Sequence, residues 1–134
     1  MADRIEMAVD KAAIAEVMTR YCFAVDFREL DGLRDVFTDD AQATYVLTPV
    51  GMDDVKLSGV AEIIEWLRSV LPNLGEPRPM HAMTNYLIEL DGDRAHSRNY
   101  MGAGGGLYTV DWVRTPDGWR AQQWEMRNFP RPEV

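Results

Sequence analysis

The sequence predicts an α+β domain in which helices from the first half cover one face of a bent antiparallel sheet drawn mainly from the second half. Helical spacing of apolar residues is confined to the region before Pro72. From Met80 onward turn signals at Asp91-Gly92-Asp93, Gly104-Gly105-Gly106 and Asp117-Gly118 separate β-rich runs. Helices first and a long sheet last is a segregated order, which opposes a βαβ arrangement. With 134 residues the chain is expected to form a single domain, residues 1–134, because two halves would each be too small to bury a core.

Each element has its own warrant. Ile14, Val17, Met18, Tyr21, Cys22 and Val25 recur at the spacing of one buried helical face, with Asp10 as the expected N-cap. At about 100° per residue, Asp26 falls on the flank of that stripe, where its carboxylate can point along the core. Leu30, Leu33, Val36 and Phe37 predict a second, shorter helix that exits at Thr38, Asp39 and Asp40. Ala41, Ala43, Tyr45 and Leu47 then alternate with Gln42 and Thr44, a strand, and a loop through Pro49 and Gly51 leads to a short strand at Val55 to Leu57. Val60, Ile63, Ile64, Leu67 and Leu71 predict a third helix, closed by Pro72. The loop from Pro72 to Pro79 precedes four strands expected near 80–90, 94–103, 107–114 and 119–129.

On the first of these strands His81, Met83, Asn85, Leu87 and Glu89 share one face, and Ala82, Thr84, Tyr86, Ile88 and Leu90 share the other. Neither face is cleanly apolar. A partly polar pocket on the concave side and another subunit on the convex side would produce that mixture, so a homo-oligomer is expected, a dimer or a trimer.

Composition narrows the partners. The 14 Lys+Arg against 22 Asp+Glu give a formal charge of -8, a field that repels phosphate backbones and anionic lipid. No nucleic acid and no membrane are expected as partners. Asp3, Arg4, Glu6 and Asp10 interrupt the N-terminus where a signal peptide needs an apolar run, so a cytoplasmic location is expected. The lone Cys22 sits on the helical stripe and reads as an inert core thiol. There is no G-x-S-x-G elbow, no phosphate-cradling loop between strand and helix, and no His, Cys and carboxylate cluster at metal spacing; cofactors: none, metal: none.

Three stretches together resemble the SnoaL-like branch of the nuclear-transport-factor-two-like superfamily. They are Ile14 to Asp26 followed by Phe37-Thr38-Asp39-Asp40-Ala41, His81-Ala82-Met83-Thr84-Asn85 ahead of Asp91-Gly92-Asp93-Arg94-Ala95, and Asp117-Gly118-Trp119-Arg120. The resemblance spans nearly the whole chain. It implies a cone-shaped, curved antiparallel β-sheet, a half-barrel, closed by three N-terminal helices and enclosing a pocket. Enzymes of this type include scytalone dehydratase, hexachlorocyclohexane dehydrochlorinase, bile-acid dehydratase, ketosteroid isomerase and polyketide cyclases, none of which needs a metal. In the dehydratase and dehydrochlorinase members an aspartate at the end of the first helix orients a histidine at the start of a long strand. Asp26 and His81 hold those positions by motif, and Asn85 matches an asparagine four residues after the histidine. Tyr21 replaces the basic residue of the dehydrochlorinase and is closer to the dehydratases, where tyrosines polarise the substrate oxygen. Trp124 stands where the dehydrochlorinase has a pocket arginine, which argues against dehydrochlorination.

The chemistry follows from these residue types. A neutral imidazole accepts a proton near pH 7, and a carboxylate on its other nitrogen fixes the tautomer and stabilises the imidazolium that forms. A phenol at Tyr21 or Tyr45 could donate to a carbonyl or departing oxygen. Each residue also has a plain structural explanation: Asp26 as a helix-end or entry cap, His81 as a hydrogen-bonded histidine, and Tyr21 and Tyr45 as core. Asn85 would satisfy backbone groups or touch ligand, and Trp124, Tyr100 and Tyr108 would line the pocket or simply pack. His96 reads as surface, and Arg98, Arg114 and Arg127 are equally eligible for an anionic group.

The expected function is a cofactor-free lyase or isomerase, dehydratase-like, that uses an Asp-His acid/base pair on a small hydrophobic, cyclic carbonyl or alcohol compound. The alternatives are a polyketide cyclase, or a non-catalytic ligand-binding or assembly module such as the β subunit of ring-hydroxylating dioxygenases.

Overall fold

The computed structural model describes residues 3–74, 80–102 and 105–130. Helix α1 (Arg4–Asp26) begins before the expected N-cap at Asp10. The start is set by a capping box: Asp3 Oδ1 accepts from the Glu6 N–H at 2.7 Å, and Glu6 Oε2 accepts from the Asp3 N–H at 3.4 Å. The apolar stripe misses this opening because the first turns lie in solvent, with Ile5 and Val9 exposed.

A 3₁₀ helix (Leu30–Asp35) follows, and Phe37 then starts β1 (Phe37–Val46) instead of ending a helix. The Ala121 N–H donates to the Val36 carbonyl at 2.8 Å, which draws this segment onto the last strand. A second 3₁₀ turn (Thr48–Val50) leads to β2 (Val55–Ser58), then α2 (Val60–Val70) and a third 3₁₀ turn (Leu71–Leu74) that takes in Pro72. The second half gives β3 (Met83–Asp91), β4 (Arg94–Met101), β5 (Gly106–Thr115) and β6 (Gly118–Asn128). Gly106 therefore belongs to a strand, while Gly104 and the expected end of β4 at residue 103 fall outside the described residues. A Cβ at Gly106 would stand 2.6 Å from the Arg127 carbonyl oxygen, so only glycine permits that approach.

The sheet runs β2-β1-β6-β5-β4-β3 and remains open, with β2 and β3 at its edges. β3 to β6 form the expected antiparallel meander, and β1 closes on β6 in parallel. Register shifts between Thr84 and Leu87, between Asp111 and Trp112, and between Phe37 and Gln42 bend it. The α helices pack on the inner face, over Val110, Trp112, Ala121 and Trp124. Among the described residues no helix is long and apolar enough to cross a membrane.

The β3 irregularity overturns the expected side-chain alternation. Asn85 has φ 59°, in the left-handed region, so the strand changes phase there. Met83 shares the inner side with Tyr86, Ile88 and Leu90, and Asn85, Leu87 and Glu89 face outward. His81 precedes the strand instead of lying on it.

Candidate functional site

Asp26 is the last residue of α1 and is 3% exposed. The chain leaves the helix through Phe27 and Arg28, whose positive φ of 59° is held by its guanidinium donating to the Val25 carbonyl at 2.7 Å. This exit leaves the carboxylate turned to the segment before β3. Asp26 Oδ1 lies 2.6 Å from His81 Nδ1, and Oδ2 accepts from the His81 backbone N–H at 2.8 Å. Both oxygens are thus committed to one residue. An ionised carboxylate only accepts, so Nδ1 carries the ring proton and Nε2 presents its lone pair. Among the described residues Nε2 has no hydrogen-bond partner.

The His81 ring meets Tyr21 edge-on, centroids 6.2 Å apart. Tyr21 arises one turn before Asp26 on the stripe of α1, and its hydroxyl lies 2.8 Å from that of Tyr45 on β1. Trp124 and Tyr108 pack around Tyr21 at 4.6 Å and 5.9 Å. The Tyr108 hydroxyl donates weakly to Met101 Sδ at 3.7 Å. Burial, the largest cause in each, pushes the hydroxyls of Tyr21, Tyr45 and Tyr108 well above the ordinary phenol range. These groups stay protonated and act as donors at neutral pH. The Cys22 thiol is pushed up to about 12, first by burial and then by the Asp26 charge. It is held as an inert thiol, as its place on the stripe implies.

Two buried polar atoms in this interior have no partner among the described residues: Trp124 Nε1 and Asn99 Oδ1. Trp124 Nε1 favours the charged form of Tyr45 yet reaches no acceptor in hydrogen-bond geometry. Asn99 was not among the residues singled out in the sequence. Its signal was nevertheless present, since Ala95, Ser97 and Asn99 alternate along β4 with exposed Arg94, His96, Arg98 and Tyr100.

Of the candidate residues, Asp26, His81, Tyr21, Tyr45, Tyr108 and Trp124 come together. Asn85 and Tyr100 do not: both are exposed, Tyr100 at 49%, and both border a concavity of about 520 Å³ whose lining includes Leu87, Arg98, Asn99 and Phe129. The phase change in β3 puts Asn85 there, and alternation along β4 puts Tyr100 there. His96 is a surface residue, its Nδ1 2.6 Å from Asp111 Oδ1. Arg114 is engaged by Asp10 and Asp93, and Arg127 by Glu125, while Arg98 borders the concavity. Among the described residues no three His, Cys, Asp or Glu side chains converge where they could hold a metal ion.

This geometry can be set beside known proteins. An uncharacterized protein of Mycobacterium tuberculosis is 37% identical over 124 residues, covering 83% of this chain and 80% of its own. A solved structure from Novosphingobium aromaticivorans, named a "putative aromatic ring hydroxylase", is 30% identical with a TM-score of 0.74 and covers 93% of this chain and 92% of its own. Another from the same organism, named a "putative scytalone dehydratase", is 16% identical with a TM-score of 0.71 over 95% and 96% of the two chains, a likeness of fold alone. Residues 6–125 match the family model of the SnoaL-like domain, and the chain belongs to that family.

Proposed function

We propose that this protein is a cofactor-free lyase or isomerase, dehydratase-like, in which His81 is the base and Asp26 its orienting partner. The observation that carries the reading is the double engagement of His81 by Asp26, at 2.6 Å to the ring and 2.8 Å to the backbone. It supports a role for the imidazole as proton acceptor at Nε2. In a dehydration, Nε2 takes the proton beside a carbonyl and the electron pair shifts to the carbonyl oxygen. A phenol of the Tyr21–Tyr45 pair donates to that oxygen. As the pair returns, the C–O bond to the hydroxyl breaks and the imidazolium proton leaves with it as water. In an isomerisation the same proton is delivered to another carbon.

The aromatic walls of Tyr21, Tyr108 and Trp124 favour a small hydrophobic, cyclic carbonyl or alcohol compound as substrate. The name of the 30%-identical neighbour points to an aromatic skeleton. A cytoplasmic enzyme fits this substrate class. A homo-oligomer, dimer or trimer, would cover exposed Leu87 and Tyr100 on the outer face. Sedimentation equilibrium tests that assembly: Leu87→Asp with Tyr100→Asp should yield monomer, and wild type that is already monomeric refutes it.

A metabolite-library thermal-shift screen tests the chemistry. A compound that stabilises both wild type and His81→Ala, but is turned over by wild type alone, is the expected result. His81→Ala should lower kcat on the order of 100- to 10,000-fold. Undiminished turnover by that variant removes His81 from the mechanism.

A further inference from the structure

Helix α1 ends in a Schellman arrangement: the Glu29 N–H donates to the Ala24 carbonyl at 2.8 Å, and the Arg28 N–H donates to the Val25 carbonyl at 3.3 Å. The residue just past such an ending adopts a left-handed backbone, and glycine is its usual occupant because it has no Cβ to crowd the next carbonyl. Arg28 holds that place, with φ 59°. The other described non-glycine residue with a positive φ is an asparagine, Asn85, a type that tolerates the region far better than arginine does. An arginine at position 28 thus bears a backbone cost that glycine would avoid, and the contacts of its side chain are what offset it.

The guanidinium spans two segments of the chain. Its Nη1 donates to the Val25 carbonyl at 2.7 Å, and its Nη2 donates to the Leu71 carbonyl at 3.3 Å. Val25 immediately precedes Asp26, and Leu71 is the C-cap of α2, ten residues ahead of His81 in the sequence. Both carbonyls lie at helix C-termini, where backbone acceptors lack helical partners and carry partial negative charge. A planar cation with several fixed donors can serve both at once. Arg28 is otherwise exposed, so packing in the core does not account for it.

We infer that Arg28 is a positioning residue for the Asp26–His81 pair: its guanidinium ties the last turn of α1 to the end of α2 and so presents the Asp26 carboxylate to both donors of His81. A carboxylate that meets a ring nitrogen at 2.6 Å and a backbone N–H at 2.8 Å tolerates little rotation of the turn that carries it. Helix ends fray, and Asp26 is the last residue of its helix. Arg28 removes that freedom at the point where the pair depends on it. This deepens the function proposed above, and it rests on that reading only in treating the pair as a base.

Arg28→Gly separates positioning from helix termination, because glycine suits the left-handed backbone and lacks the guanidinium. Its midpoint of urea unfolding should stay near that of wild type, as the relieved backbone offsets the lost hydrogen bonds. Nuclear magnetic resonance then reads the pair directly and needs no substrate. In wild type the proton on His81 Nδ1 should give a downfield resonance, assigned by its disappearance in His81→Ala, and the His81 amide should be protected from exchange. In Arg28→Gly the ring resonance should be lost, and exchange of the His81 amide should quicken about tenfold, the effect of weakening one hydrogen bond. The His96 ring, half-exposed and paired with Asp111 on the outer face, should be unchanged and serves as the internal control. Arg28→Asn tolerates the same backbone and is too short to span the two carbonyls, so it should repeat the result and covers a glycine variant that fails to fold.

His81 signals that stay as in wild type in these variants overturn the inference and leave Arg28 as a helix terminator. So does a loss of the His81 signals that comes only with faster exchange throughout the protein, since that is general loosening. A wild type without either signal lacks the contact itself, which removes the proposed base as well. The two failures are therefore told apart by whether wild type or only the variant departs from expectation.

Discussion

The Asp10 carboxylate is shared between the Arg114 guanidinium, at 2.8 and 2.9 Å, and the Trp119 indole N–H at 3.2 Å, joining α1 to the β5–β6 hairpin. The Arg114 hydrogen bonds are the main reason its pKa is lowered. A folded value below the ordinary carboxylate value of about 3.9 means that the stabilisation is complete above that value and is lost as pH falls through the folded one. Asp10→Asn should cost about 1 kcal/mol at neutral pH, read by urea unfolding. The gap between the two proteins should close on acidification toward pH 2, and a constant gap would refute the assignment. In sequence Asp10 reads as an N-cap because it precedes the apolar stripe. Its partners lie more than a hundred positions away, and no local pattern announces them.

At the scale of the element, β3 turns on Asn85. Its left-handed φ of 59° suits asparagine or glycine and opposes a β-branched residue. Asn85→Val should cost about 1–2 kcal/mol in chemical denaturation, whereas Asn85→Gly should stay within about 0.5 kcal/mol. Equal costs would show that the backbone at this position is not the constraint. The same residue marks the limit of reading by period: two-residue alternation located β3 but carried one phase through the bulge, and so placed Asn85 beside His81. The regular elements were legible because burial imposes a period on them. α2 and the inner face of β5 follow their apolar spacing closely. The Asp26–His81 contact was legible only through the family motif, since a helix-end carboxylate and a histidine 55 positions away have no shared periodicity. Asn99 was visible as a polar residue on a buried face, but its bare oxygen depends on the rotamer, which a sequence does not display.

For the whole molecule, the closely packed aromatic interior couples ionisation to unfolding. Tyr21, Tyr45 and Tyr108 have raised folded values, so their contribution to stability is fully present below the ordinary phenol value of about 10 and is lost as pH rises toward the folded values. Phenolate absorbance from these three should therefore rise together with the loss of near-ultraviolet circular dichroism in alkaline titration. Their ionisation in a still-folded protein would mean that the interior admits water freely. The Asp26 contact has a further consequence at this scale. One oxygen meets the imidazole and the other fastens the chain at the entrance to β3, so the carboxylate is at once an instrument of proton transfer and a clip on the path of the backbone. A relative that abandoned the reaction would still need the clip, and an intact Asp-His motif in such a protein would testify to its architecture before it testified to any catalysis.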